Sequence, residues 1–437
     1  MTADAHAPFD TGLTAPRYLT SETPGIGGVL KERPDDFAVQ EIPLYAPCGS
    51  GDHIYLYLEK RSLSTLQLRD AVARHFGVHR SGVGHAGLKD KHAVTQQVMS
   101  VHAPGKSPED FPSFEHDKAR VLWVDLHTNK LQRGHLAGNR FSIKVRGVEP
   151  SGVIHARRAL ETLARRGVPN RIGPQRFGYL MNNHLVGRAM ILGDHRGALD
   201  LLLSPHERSP KGQIDAREAY ARADHGSAAS LMHKVFKVEH RALRALARGA
   251  DPEEAMRVID QTAAGFYITS FQSALFNAVL NKRVEQGTHD DLLVGDIAIA
   301  LTRRENFPID THTASEPGVR RRLGRFEISA SGPLWGARMQ RAGGEIDAME
   351  LETLAMSGVG IKDLESCELR DAFPMIGGSR KPLRIPVIAP EVEGGVDEHG
   401  SYIRCAFELP KGSFATTVMD EVMKVPLTPA HQENDHG

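Results

Sequence analysis

The sequence predicts an α+β fold in which one domain is interrupted by another, and three observations carry that expectation. Over the first 170 residues, short alternating apolar segments are mixed with amphipathic helical ones. Beyond Pro169 the texture changes to longer helical stretches. Strand character then returns at Leu383–Ala389 and Ser401–Leu409. A β-rich tail after a helical middle is what an inserted domain leaves behind.

The elements follow in order. Asp36–Pro43 and His53–Lys60 alternate as strands, the second with Ile54, Leu56 and Leu58 on one face and Tyr55 and Tyr57 on the other. Ser64 is placed to cap a helix whose apolar stripe runs through Leu66, Leu68, Val72 and Phe76 before Gly77 stops it. Val94–Val101, Val121–Leu126 and Phe141–Val148 read as further strands; in the last, Phe141, Ile143 and Val145 oppose Ser142, Lys144 and Arg146. Gly152–Arg166 reads as a helix ended by Gly167. The stretches around Ser204–His225 and Thr302–Arg322 are polar and proline-punctuated, and are expected to be loops. A helix from about Phe414 to Lys424 closes the chain, with Ser413 as a candidate cap. Residues 1–15 and 425–437 have the polar composition of disordered ends.

Composition limits the classes. With 40% apolar and 25% charged residues in 437, the chain can build two or three cores without staples. No stretch of about 18 apolar residues is present and the N-terminus lacks a basic segment followed by an apolar run, so a cytoplasmic protein without a membrane partner is expected. Cys48, Cys367 and Cys405 are far apart and read as reduced thiols. No H-E-x-x-H and no Cys/His cluster at zinc spacing occurs, so no metal is expected. A Walker A loop and a dinucleotide-binding glycine turn are likewise absent. The 54 basic and 54 acidic residues cancel, yet between Asp125 and Leu180 eleven cations face three carboxylates. Such a stretch suits phosphate neutralisation, although Arg157, Arg158, Arg165 and Arg166 on a helix are also ordinary solvated charges.

The chemistry centres on Gly87-Leu88-Lys89-Asp90-Lys91-His92, a basic turn before a strand, holding one carboxylate. Gly82, Gly84 and Gly87 are expected to let the backbone approach a ligand. Lys89 and Lys91 flank Asp90 and favour the carboxylate over the acid, a form fit to act as nucleophile or base. His85 and His92 bracket the loop, either against a phosphate or in solvent.

Several separated segments together resemble the tRNA pseudouridine synthase D family. They are Leu30-Lys31-Glu32-Arg33-Pro34-Asp35-Asp36-Phe37, the Asp90 segment through Gln97, Lys130 to His135 with Gly138-Asn139-Arg140-Phe141, and Gly167-Val168-Pro169-Asn170. Later pieces are Ser273 to Asn277, Gly332-Pro333-Leu334 and Leu409-Pro410-Lys411-Gly412-Ser413-Phe414-Ala415-Thr416. Their order is that of the family from about residue 26 to 424.

The resemblance implies a pseudouridine synthase core, a mixed sheet with flanking helices, interrupted by an α/β insertion domain of the family's type. The core is then 16–167 and 380–424, and the insertion 168–379. It implies isomerisation of uridine to pseudouridine in tRNA, at position 13 in bacterial members, without cofactor or metal. It makes Asp90 the catalytic carboxylate, attacking the sugar or base or taking the C2′ proton. Lys31 then pairs with Asp90, Phe141 lies against the target uracil, Asn139 contacts it, and Phe37 and Phe414 line the pocket. By residue type alone, Phe37, Phe141 and Phe414 are equally core residues and Lys31 a surface lysine. The partner implied is tRNA; no obligate protein partner is expected, and the chain is read as a monomer.

Overall fold

The computed structural model describes residues 16–303, 305–367 and 377–425; the ends expected to be disordered lie outside these, apart from Val425. Two units divide the chain. One is Tyr18–Val168 with Ile385–Val425; the other is Pro169–Arg384 with Arg17. Expectation put the departure after 167 and the return at 380.

The first unit is built on a mixed sheet whose strands follow from the alternation read in the sequence. Its early strands are β1 (Phe37–Pro43), β2 (His53–Arg61), β3 (Val83–His85), β4 (Val94–His102), β5 (Ala119–His127) and β6 (Leu136–Arg146). A hairpin of Ile388–Asp397 and Gly400–Pro410 completes it. From one edge the order is Ile388–Asp397, Gly400–Pro410, β6, β1, β4, β2, β5, with β3 paired to β4 off that path. Among the described strands of this sheet, β1 and β4 pair in parallel and the other neighbours antiparallel.

Helix α1 (Thr65–His75) starts in a full capping box, Ser64 with Gln67, and packs Leu68 and Val72 on Ile54, Leu56 and Leu58 of β2. Tyr55 and Tyr57, out of phase with these, pack with Val98, Leu131 and Leu136. Helix α2 (Val153–Arg166) ends at Gly167, φ +81°, and buries Leu160 and Leu163 with Phe37, Phe141, Ile143 and Val145. The closing helix Ala415–Met423 adds Val418, Met419 and Val422 to that core. Its N-cap is Phe414, without a side-chain hydrogen bond, so Ser413 does not cap it.

The second unit has its own helical core, around Ala198, Leu243, Ile268 and Phe271, and a four-stranded sheet ordered Ser379–Pro382, Ile328–Leu334, Ile297–Ala300, Asn306–Pro308. Its 25-residue helix Gln261–Glu285 is buried nearly all round, from Ala264 to Val284.

Three expectations are corrected. The polar stretches are not plain loops: Ile214–Ala221 is a helix burying Ala216, Ala219 and Tyr220, and Pro317–Gly324 is one with Pro317 in its first turn. The strand expected at Leu383–Ala389 is broken, Arg384–Ile385 standing apart from Ile388–Asp397, because Pro386 cannot donate to a ladder. Gly82, Gly84 and Gly87, expected to adopt conformations closed to other residues, have ordinary φ. Gly82 lies in a 3-10 turn and Gly84 in β3, where a Cβ would meet the Leu131 carbonyl.

Candidate active site

Asp90 lies in the connection from β3 to β4, where residues 87–92 carry no helix or strand. Its carboxylate side chain is 51% exposed, and Oδ2 accepts a hydrogen bond from Lys31 Nζ at 2.8 Å. Lys31 arrives from the segment before β1. Val29 is pinned there by backbone hydrogen bonds in both directions with Arg146 on β6. Two residues later Lys31 turns through φ +58°, and its ammonium stands 4.2 Å over the ring of Phe37. The left-handed region costs a residue with a Cβ about 1 to 2 kcal/mol, whereas a half-exposed ion pair returns about 0.2 to 1 kcal/mol. The pair therefore does not offset the turn that makes it. Such strain collects where geometry serves something other than stability.

Lys89 was expected beside the Asp90 carboxylate, and the structure corrects this. Its side chain, 5% exposed, turns inward; Nζ lies 2.8 Å from Oε2 of Glu41, itself 1% exposed, as a close ion pair rather than an aligned hydrogen bond. Glu41 Oε1 accepts from the Val98 N–H at 3.1 Å. The same ammonium donates to Asn139 Oδ1 at 2.6 Å. An ammonium only donates, so this contact fixes which end of the amide it holds. Asn139 Nδ2, with no protein partner among the described residues, is left as a donor.

Lys60 at the end of β2 is fully buried. Its Nζ donates to the carbonyls of Leu63 at 2.5 Å and Asp90 at 2.8 Å. Burial pushes its pKa down to about 8, the Lys89 charge adds to that, and the Asp90 charge opposes it. The main chain is held once more by Thr65, whose Oγ1 accepts the Lys89 N–H at 2.9 Å and donates to Gln97 at 3.1 Å.

The six residues singled out from the sequence take unequal places. Lys31 touches both Asp90 and Phe37, and Asn139 is tied to the Asp90 loop through Lys89. Phe37 and Phe141, 3% and 7% exposed, lie in the core with ring centroids 6.3 Å apart, and Phe141 continues to Phe407 at 5.8 Å. Phe414, by contrast, is 65% exposed at the mouth of the closing helix. His85 is buried on β3, its pKa lowered chiefly by that burial, so it is not a surface phosphate ligand.

Lys60, Glu41 and Thr65 escaped the sequence reading, although two carried a signal. Lys60 continues the face of Ile54, Leu56 and Leu58, and Glu41 continues that of Phe37 and Val39. A charge in phase with an apolar face is either a misread strand or a buried partner.

The local surplus of cations is smaller in three dimensions than along the chain. Arg140 pairs with Glu391 and Glu408, Lys144 with Asp397, and Arg146 with both Asp36 and Asp397, all supplied from outside the basic stretch. Arg146 and then Lys144 hold the Asp397 carboxyl well below the usual range. Arg157, Arg158 and Arg165 of α2 remain exposed. Among the described residues no group of three or more His, Cys, Asp or Glu could hold a metal, and no helix is long and apolar enough to cross a membrane.

Residues 14–422 match the family model described as tRNA pseudouridine synthase D. A relative named tRNA pseudouridine synthase D from Geobacter sulfurreducens is 40% identical over 417 residues, 94% of this chain and 97% of its own. One of the same name from Thermus thermophilus is 34% identical over 410 residues, 93% of this chain and 92% of its own. A crystal structure from Methanosarcina mazei assigned to tRNA pseudouridine synthase D superposes with a TM-score of 0.84 at 26% identity, covering 97% of this chain and all of that one.

Proposed function

Because this chain belongs to the tRNA pseudouridine synthase D family, we propose that it isomerises uridine to pseudouridine in tRNA, at position 13, with Asp90 as the catalytic carboxylate. The observation that carries the reading is the Asp90 side chain, half exposed and paired with Lys31 at 2.8 Å in a loop on the mixed sheet. The reaction breaks C1′–N1, forms C1′–C5, removes a proton from C5 and returns one to N1. Product and substrate are isomers, so neither an oxidant nor a second substrate is needed. What the protein must supply is a group that labilises the glycosidic bond and a pocket that retains the free base. A carboxylate meets the first need, as nucleophile or as base toward C2′–H.

The remaining residues divide the second task. Asn139, with its oxygen held by Lys89, offers Nδ2–H to a uracil carbonyl, a choice that favours uracil over a base edge presenting an amino group. Phe414 offers an exposed ring, and stacking a base on such a ring is worth about 1 to 3 kcal/mol. Phe37 lies under the Lys31 ammonium and packs edge-on with Phe141, and Lys31 keeps the carboxylate oriented. The exposed arginines of α2 suit tRNA phosphates.

The test incubates the protein with a tRNA transcript bearing uridine at position 13 and maps pseudouridine by carbodiimide-blocked primer extension. Wild type is expected to give a stop at that position, and Asp90→Asn none. An Asp90→Asn chain that modifies the transcript at the wild-type rate would falsify the assignment of the carboxylate, and a stop elsewhere that of the position.

A further inference from the structure

We infer that Lys60 and Thr65 are positioning residues for this reaction, aiming the Asp90 carboxylate by holding the main chain on either side of it. The inference rests on the role of Asp90 proposed above. Residues 87–92 belong to no helix or strand, so their backbone is not set by a ladder. Two side chains from outside the loop hold its main chain at Lys89 and Asp90. Lys60 Nζ donates to the Asp90 carbonyl at 2.8 Å, and Thr65 Oγ1 accepts the Lys89 N–H at 2.9 Å. These two contacts hold the peptides before Lys89 and after Asp90, and so enclose the short run of main chain that carries the reacting carboxylate. They come from the end of β2 and the first turn of α1, elements packed together in one core. Movement of the Asp90 carbonyl would swing the carboxylate directly and movement at Lys89 would do so through one intervening peptide, while the packed elements resist both.

The chemistry of Lys60 does not fit a role in stability alone. Its position continues the face of Ile54, Leu56 and Leu58, where an apolar side chain would pack without desolvating a charge. Fully buried lysines are rare unless paired. Here the ammonium hydrogen-bonds two carbonyls, one of which belongs to Asp90. Lys60 does not hydrogen-bond the carboxylate; its hydrogen-bonded hold on the loop is on the backbone. A misplacement of about 1 Å at a reacting group can cost on the order of 100-fold in rate.

The test compares full-length wild type, Lys60→Met, Thr65→Val and Asp90→Asn with one tRNA transcript. It records the single-turnover rate of pseudouridine formation, the tRNA Kd and the melting temperature. Lys60→Met keeps the length of the stem and removes the donor; Thr65→Val keeps the shape and removes the acceptor. The expected result is a rate on the order of 10- to 100-fold lower in each, with Kd within about twofold of wild type. A merely structural role would instead lower the folded fraction or weaken Kd along with the rate. A folded Lys60→Met within about threefold of the wild-type rate overturns the inference for Lys60. If Lys60→Met does not fold, Thr65→Val decides: a rate within about twofold of wild type overturns the idea that side chains aim this loop. An active Asp90→Asn refutes the underlying role of Asp90. An inactive Asp90→Asn beside fully active Lys60→Met and Thr65→Val refutes only the inference drawn here.

Discussion

Replacing Lys89 by methionine should do two separable things, because its ammonium serves two partners. Glu41 is 1% exposed and Lys89 5%, so removing the cation strands a buried carboxylate with one remaining hydrogen bond, from the Val98 N–H. Breaking a buried pair from one side costs about 3 to 5 kcal/mol, a large part of the roughly 5 to 15 kcal/mol that holds a domain folded. Glu41→Gln in the same chain removes the stranded charge while keeping an acceptor for Val98, and should bring stability back to within about 1 to 2 kcal/mol of wild type. Turnover should not return with it, since Asn139 has lost the donor that held its oxygen. Because the chain has two units, a single unfolding free energy is not well defined for the whole. Trp123 lies in the first unit and Trp335 in the second, so urea unfolding followed by fluorescence in a Trp335→Phe background reports the unit that matters. The reasoning is refuted if Lys89→Met costs less than about 1 kcal/mol, or if the double variant is no more stable than the single one.

Two further outcomes separate function from stability. Lys31→Gly should leave stability unchanged or slightly raised, since glycine adopts φ +58° without penalty, while slowing pseudouridine formation at least tenfold; a melting curve beside a single-turnover assay checks both, and Lys31→Gly at the wild-type rate would show the pair to be dispensable. Phe414→Ala, at an exposed ring, should move stability by less than about 0.5 kcal/mol but weaken tRNA binding by about 1 to 3 kcal/mol, whereas Phe141→Ala should cost about 3 to 5 kcal/mol of stability through the cavity it leaves. Equal destabilisation by the two substitutions, measured by urea unfolding, would contradict their opposite burial.

Much of the first unit was legible because residue types alternate along its strands. Ile54, Leu56 and Leu58 against Tyr55 and Tyr57 needed only the period of two, and the two sets do join different cores. Ser64 and Gln67 announced the start of α1 by capping chemistry alone. The strand Ile388–Asp397 was cut short in the reading because it is an edge, half exposed and rich in glycine and acid, with little pattern to read. Helix Ile214–Ala221 was missed because only Ala216, Ala219 and Tyr220 mark its buried side within polar sequence. At the site, the Asp90 loop stood out through its residue types and the family resemblance supplied Lys31 as its partner, but the inward turn of Lys89 was not legible. Adjacency pointed to Lys89, whereas tertiary structure brings Lys31 from 59 residues away and turns Lys89 inward.

That rearrangement has a physical consequence for the carboxylate. A lysine beside Asp90 on the surface would be screened by water and salt and would act weakly. Lys60 and Lys89 instead lie beneath the loop, the first fully buried and the second nearly so, where the surrounding medium screens charge far less. Lys89 is largely matched by Glu41. Lys60 hydrogen-bonds only carbonyls in the contacts described above, and its charge is coupled to that of Asp90. Holding a cation there costs desolvation, as its lowered pKa records, and Lys31 adds a strained backbone on the open side. Two unfavourable arrangements converging on one exposed carboxylate are hard to account for by folding, since apolar side chains and an ordinary φ would each be more stable. They are accounted for if the free energy is held in reserve to fix the direction of the Asp90 carboxylate before a uridine arrives.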